Sequence, residues 1–286
     1  MMSLASAAQL RTSVGRKQSR TDVVGGWPVA ALSATLDRAD PEPTKAGDPV
    51  PPGWHWLYFL EATPASGLGP EGHPKVGRFL PDTGLPRRMW AGGRIEFRHP
   101  LRVGDPVRRD SEIIAVEPKD GRTGRLVFVT VRHTVSANER VAVVEEHDIV
   151  YRQAPLPGDA PPVQQSAPLQ SAWRRELVAD PVMLFRFSAL MFIGHRIHYD
   201  IDYCRQEEGY PGLLVHGPLQ TVLLLDLCRR HASRPVSKID YRAIHPVFHF
   251  ERFSLCGEPS DDGSTAELWT ANAAGNYGMR ATVCFV

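Results

Sequence analysis

The sequence predicts an α+β protein made of two strand-rich units, and three observations carry that reading. Runs of alternating or β-branched residues at Ser111–Glu117, Arg125–Val135 and Val141–Tyr151 are separated only by the turn signals PKDGRTG and SANE. Connections that short cannot hold a crossover helix, so these strands must pair as an antiparallel meander. A second set follows a Pro-rich stretch: Ser237–Ala243, Val247–Cys256, Ala266–Ala273 and Gly278–Val286. Finally, RIEFRHPLRVGDPV (Arg94–Val107) is similar to KIDYRAIHPVFHFERFSLCGE (Lys238–Glu258). In each, a charged and aromatic strand runs into His-Pro and a second strand. A duplicated unit with one principal helix apiece is the simplest architecture.

In chain order, residues 1–20 carry Arg11, Arg16, Lys17 and Arg20 with no acid, and read as a basic disordered start. The alternative is a transit peptide. The first unit spans 21–152. It opens with a short helix from Trp27 to Leu36, then an aromatic strand over Trp54–Leu60, then a Pro- and Gly-rich surface loop over Thr63–Pro86 that ends in RRMWAGG. Residues 153–170 form a Pro-rich linker and the best domain boundary. The second unit, 171–286, places its helix around Leu219–Arg229.

Bulk properties narrow the function. The chain has 286 residues, 42% apolar and 23% charged, a globular balance. A net charge of +1 excludes nucleic-acid binding by bulk charge. No apolar run reaches the roughly 18 residues that span a bilayer, so no membrane partner is expected. Cys204, Cys228, Cys256 and Cys284 have no C-x-x-C spacing and read as free thiols in a reducing compartment. The cytoplasm is expected, or the mitochondrion if the basic start is a transit peptide.

The polar interval before the apolar segment Leu219–Leu227 concentrates the ionisable candidates His195, His198, Asp200, Asp202 and His216. It ends in His216-Gly217-Pro218, and amides at a helix start lack intrahelical acceptors and carry partial positive charge. His195-x-x-His198 is not the H-E-x-x-H helix pattern, so no metal is expected. Ser188 sits in no G-x-S-x-G elbow and Cys204 has no catalytic signature, so a covalent nucleophile is not expected. A general base is expected, and His198 suits the role because an ordinary histidine titrates near neutrality. The competing reading is that these His and Asp residues cap strands and the helix. The first unit shows no matching His-rich stretch, which assigns the chemistry to the second unit.

FIGHRIHYD (Phe192–Asp200) and EGYPGLLVHGPL (Glu208–Leu219) resemble the MaoC-like hydratase group of the hot-dog superfamily. Within it they are most similar to type 2 hydroxyacyl-thioester dehydratases and to mesaconyl-CoA and itaconyl-CoA hydratases. The resemblance covers about residues 20–286. It implies a double hot dog, in which antiparallel sheets wrap central helices, and reversible addition of water to an α,β-unsaturated acyl thioester. It also implies roles: His198 activates water and the Gly217 amide stabilises the enolate oxygen. His195, Arg196, Tyr210, Gly212 and His216 would bind substrate, with Tyr199, Asp200 and Tyr203 in support. Coenzyme A or acyl carrier protein would be the substrate's carrier, with no prosthetic group. Arg205, Arg229, Arg230 and Arg242 are candidates for the carrier's phosphates. The first unit would accommodate the acyl tail, and a homodimer is compatible with the fold.

One position departs from the pattern. The wider motif Asp-x-Asn-Pro-x-His places Ile193 at the Asp, His195 at the Asn and Arg196 at the Pro. The base is kept and the acid is absent. Either His198 works alone, or His195 or Asp200 substitutes, or activity is lost. Three readings follow: a hydratase of short or branched acyl-CoA such as mesaconyl-CoA or itaconyl-CoA, a (3R)-hydroxyacyl-thioester dehydratase of fatty-acid synthesis, and an inactive acyl-CoA-binding subunit. A short polar acyl group calls for a cation deep in the pocket; a long chain calls for an apolar tunnel.

Overall fold

The computed structural model describes residues 5–40, 45–121, 124–154 and 163–286. The middle of the linker, and parts of the Pro41–Pro52 connector, the PKDGRTG turn and the N-terminal start, lie outside those residues. Ten strands form one antiparallel sheet: β1 (Lys17–Val23), β2 (Arg87–Phe97), β3 (Pro106–Gly121), β4 (Gly124–Ala137), β5 (Arg140–Arg152), β6 (Trp173–Leu177), β7 (Val236–Ala243), β8 (Phe253–Pro259), β9 (Thr265–Ala271) and β10 (Tyr277–Phe285). Their order is β1-β3-β4-β5-β2-β7-β10-β9-β8-β6. The two halves of this order mirror each other about the β2–β7 pair. The similar segments seen in the sequence meet there, with Ile95 opposite Ile239 and Arg94 opposite Asp240.

Five α-helical segments accompany the sheet: α1 (Ala7–Arg11), α2 (Gly26–Thr35), α3 (Pro181–Leu190), the single turn α4 (Ile201–Tyr203) and α5 (Gly217–His231). Helix α2 follows β1 as α3 follows β6, and the two pack on each other. Asp180 caps α3 through the Met183 amide at 2.8 Å, and Pro181 sits at its first turn, where no backbone donor is lost. Helix α5 has no counterpart of similar length in the first unit among the described residues. Its place there is taken by a 3₁₀ turn, Trp54–Leu57. That turn replaces the strand expected at Trp54–Leu60. All four of its residues are buried, so the aromatic run marks core burial and not extended backbone.

Every residue from Leu219 to Cys228 is buried, which is the pattern of a helix enclosed on all sides. Its polar members are therefore satisfied inside. Gln220 accepts from Thr270 at 2.7 Å. Asp226, almost wholly inaccessible, is held by Arg38, by Arg175 at 3.4 Å and by Arg230 at 2.8 Å. This ties the end of α2 and strand β6 to the far end of α5.

The basic start is folded from residue 5 onward, against the expectation of disorder. Ser6 and Gln9 cap α1 reciprocally, Leu10 is buried, and β1 pairs with β3 from Lys17 to Val23. The sequence of β1, KQSRTDV, is polar on both faces, so it carries no hydrophobic alternation to read. The expected strand Val247–Cys256 begins only at Phe253. Residues 247–249 instead zip against the loop before α5: the Val215 amide donates to Val247 at 2.8 Å and the His249 amide to Leu213 at 3.0 Å.

Leu223 is fully buried at the middle of α5. Leu223→Ala should lower unfolding free energy by about 3 kcal/mol, while Val182→Ala at an exposed site of α3 should stay within about 0.5 kcal/mol. Urea titration of both variants checks this.

Candidate active site

The segment after α3 turns sharply, with Phe192 in the left-handed region at φ 50° and the Ile193 amide donating to Ser188 at 2.8 Å. It then forms a 3₁₀ turn over Arg196–His198. The Leu214 amide donates to Ile197 at 2.9 Å, which lays the turn beside the strap that leads into α5. His198 and His216 are thereby stacked, with ring centroids 3.6 Å apart and planes inclined by 20°. The His198 Nδ1–H donates to the Leu214 carbonyl at 2.8 Å. A carbonyl can only accept, so the neutral ring carries its lone pair on Nε2. His216 Nε2 lies 2.8 Å from Ser188 Oγ, and its Nδ1 is buried without a partner.

Gly217 opens α5, so its amide has no intrahelical acceptor. A Cβ there would sit 2.5 Å from Trp90 Cε3, so the absence of a side chain is what lets the β2 indole reach the helix start. Trp90 in turn packs on Tyr241 at 4.9 Å, Trp56 at 5.5 Å and His147 at 5.7 Å between centroids. Behind it, buried Glu145 accepts from Trp56 Nε1 at 2.7 Å, from His55 Nε2 at 3.0 Å and from His147 Nε2. Burial pushes the Glu145 carboxyl up, and the attraction of His147 and His55 outweighs this and holds it well below the ordinary range. His133, next to His147, bonds Ser111 Oγ at 2.7 Å. The first unit thus does have its own His-rich cluster, dispersed over 55, 133 and 147. His198 and Gly217 belong to the second unit, and the first unit supplies the wall that faces them.

His195 stands edge-on to His198, centroids 5.6 Å apart, and lies 4.1 Å from the ring of His73 in the first unit's long loop. That loop docks on the turn: the Arg196 amide donates to Glu71 at 2.9 Å, and Arg196 Nη1 to Pro70 at 3.1 Å. Arg196 also pairs with Asp200 at 2.8 Å and lies 4.3 Å from the Tyr203 ring. It therefore clamps the loop onto the turn. Asp200 is committed to Arg196 and to the Tyr203 amide, which excludes it as the missing acid. Tyr210 packs on Phe248, and a Cβ on Gly212 would strike Phe250, so both shape the strap. Ile193 packs into the core. Arg229 and Arg230 pair with Asp40 and Asp226, roughly 18 Å along α5 from Gly217. Arg205 is exposed, bonding Pro211 at 3.3 Å. His73, Arg88, Trp90 and Glu145 were not singled out by sequence. No group of three or more His, Cys, Asp or Glu able to hold a metal occurs among the described residues.

The profile of hydroxyacyl-thioester dehydratase type 2 matches residues 53–249. The chain belongs to the hydroxyacyl-thioester dehydratase type 2 family. It is 44% identical to the mesaconyl-C(4)-CoA hydratase of Chloroflexus aurantiacus, over 97% of this chain and 98% of that protein. It is 24% identical to the mitochondrial hydroxyacyl-thioester dehydratase type 2 of Schizosaccharomyces pombe, over 87% and 90%. A MaoC-like dehydratase superposes with a TM-score of 0.71 at 14% identity, covering 97% of this chain and 100% of that one. A Mycobacterium tuberculosis protein described as a double hot dog superposes at 0.58 and 12% identity, covering 96% of each. The fold of this dehydratase-family member is a double hot dog, and it is a hydro-lyase acting on α,β-unsaturated acyl thioesters.

Burial makes this dehydratase-family site unusual in charge. It lowers His198 to about 4 and His195 to about 3, and holds His73 and His216 well below 6.5; His133 falls to about 3. Each binds its proton more weakly folded than unfolded, so the unfolded chain takes up the excess protons as pH falls below 6.5. Stability should be level above about pH 7, then fall steadily from about 6.5 toward 4, before most carboxylates titrate. Urea midpoints measured from pH 8 to 4.5 check this; a flat profile down to pH 5 would show that the imidazoles are not buried neutral.

Proposed function

We propose that this protein hydrates short, branched dicarboxylic acyl-CoA thioesters of the mesaconyl type, with His198 as its single acid–base group. The near full-length similarity to a mesaconyl-C(4)-CoA hydratase carries the substrate class. The geometry supports the chemistry. His198 Nε2 is the unprotonated nitrogen of a ring held by the Leu214 carbonyl, ready to take a proton from water. The Gly217 amide, free at the start of α5, offers a donor for the oxygen that becomes anionic when the thioester turns into an enolate. The hydroxide adds to the β-carbon, and the imidazolium returns the same proton to the α-carbon. One group serves both transfers, so water adds to one face of the double bond. This suits a site in which Ile193 offers no acid.

The first unit's inner sheet face carries Val127, Val129, Val131 and Ile149 beside Arg88, Tyr151, His147 and Glu145. The preference for a short acyl group therefore rests on the near full-length similarity to a hydratase of a dicarboxylic thioester. Coenzyme A is proposed as the carrier, with no prosthetic group.

The test is the loss of enoyl-thioester absorbance with mesaconyl-C(4)-CoA, crotonyl-CoA and trans-2-decenoyl-CoA. The dicarboxylic thioester should have the highest kcat/KM, and His198→Ala should lower kcat by roughly 10²–10⁴-fold. Preference for the decenoyl thioester would sink the substrate assignment. Full activity of His198→Ala would remove His198 from the mechanism.

A further inference from the structure

Strand β2 carries three arginines, and only one lacks a carboxylate partner among the described residues. Arg87 pairs with Glu208 at 3.2 Å, and Arg94 pairs with Glu146 and with Asp148 at 3.1 Å. Arg88 pairs with none. Strand alternation sets its direction: Arg88 and Trp90 share one face, with exposed Met89 on the other. Trp90 is the indole that touches Gly217, so the Arg88 backbone lies roughly 7 Å further along the same wall of the site.

The surroundings of Arg88 are short of acceptors and rich in donors. Directly across the ladder is Tyr151, only 2% exposed; its hydroxyl oxygen lies within reach of the Arg88 guanidinium, and its O–H finds no acceptor. Trp90 Nε1 is likewise buried and unpartnered. On the other side, the charge of Arg88 opposes protonation of both His73 and His195, so it lies near the imidazole row that ends at His198. Asp82 is close enough to act on Tyr151, yet its carboxylate caps the Gly84 amide at 3.0 Å and forms no ion pair with Arg88. A half-buried guanidinium beside orphaned donors and neutral imidazoles describes a place for an anion.

We propose that Arg88 is the specificity residue of the acyl pocket, binding the free carboxylate of a dicarboxylic acyl thioester with help from the Tyr151 hydroxyl. The proposal rests on the dicarboxylate reading of the substrate. In a mesaconyl-type thioester the second carboxylate is attached to the β-carbon itself. With the β-carbon before His198 and the thioester oxygen at Gly217, that carboxylate would be the group that meets Arg88. Pairing it there orients the double bond. A methyl in the same position would leave the Arg88 charge without a counter-anion and the Tyr151 O–H without an acceptor, so the site rejects monocarboxylic analogues.

Two saturated probes separate this from turnover: succinyl-CoA, which ends in a carboxylate, and butyryl-CoA, which ends in a methyl. Calorimetry should show the wild type binding succinyl-CoA on the order of 100-fold more tightly. In Arg88→Met that ratio should fall to about one through loss of succinyl-CoA affinity, and Arg88→Lys should keep part of it. The kcat/KM ratio of mesaconyl-C(4)-CoA to crotonyl-CoA should fall in parallel. Equal affinities in the wild type, or parallel loss of both probes in both variants, would overturn the role of Arg88 even if mesaconyl-C(4)-CoA is hydrated. A carboxylate preference that depends on Arg88, without hydration of mesaconyl-C(4)-CoA, would overturn the substrate and leave the anion subsite standing.

Discussion

The contact between Trp90 and Gly217 joins what the two halves of the chain each supply. An enclosed helix must begin somewhere, and its first amides have no acceptors within the helix. Here α5 begins at a glycine, and an indole from the other unit fills the space that a side chain would take. The amide is thereby left in a wall of protein with low access to water, where a fixed donor does most to stabilise a developing negative charge. Trp90 keeps its place because Tyr241, Trp56 and His147 surround it. Those residues depend in turn on Glu145, which accepts from both Trp56 and His147. A buried carboxylate with several donors resists rearrangement, since losing any one of them leaves charge uncompensated.

The imidazoles illustrate how burial selects a protonation state. Five histidines are held neutral, and two of them, His198 and His216, stack face to face. Two neutral rings can pack this closely, whereas two imidazolium ions would repel. The same desolvation that depresses His198 fixes its tautomer, because the only acceptor offered to Nδ1 is a backbone carbonyl. The base is thus set by its surroundings without a carboxylate behind it, and Ile193 can serve as core where a polar residue stands in the broader motif.

The duplicated plan explains the division of labour. The halves of the sheet mirror each other, but the long helix persists in only one of them. In the other, the buried aromatic turn Trp54–Leu57 lies between α2 and β2, where chain order in the second unit puts α5 between α3 and β7. Helix, strap and His198 come from the second unit; the opposing wall of Arg88, Trp90, Tyr151 and Glu145 comes from the first, and its long loop brings His73.

The linear sequence determined what local physics sets. The turn signals and alternation at 106–152 and over most of 236–286 specify antiparallel strands, while 247–252 go to the loop before α5. Gly217-Pro218 before an apolar run could only start a helix, and His198 at its distance from that start lay within one contiguous motif. Edge strand β1 was illegible because an edge pairs through its backbone alone and needs no apolar face. The buried aromatic turn at Trp54 resembled a strand because burial and strand propensity favour the same residues. The opposing wall was decided only by tertiary structure. His55 and Glu145 are 90 positions apart and meet because β5 pairs with β2 under the Trp54 turn, while Trp90 meets Gly217 because β2 pairs with β7. No periodicity records such meetings, since they follow from strand order, and strand order is set by the folded sheet as a whole.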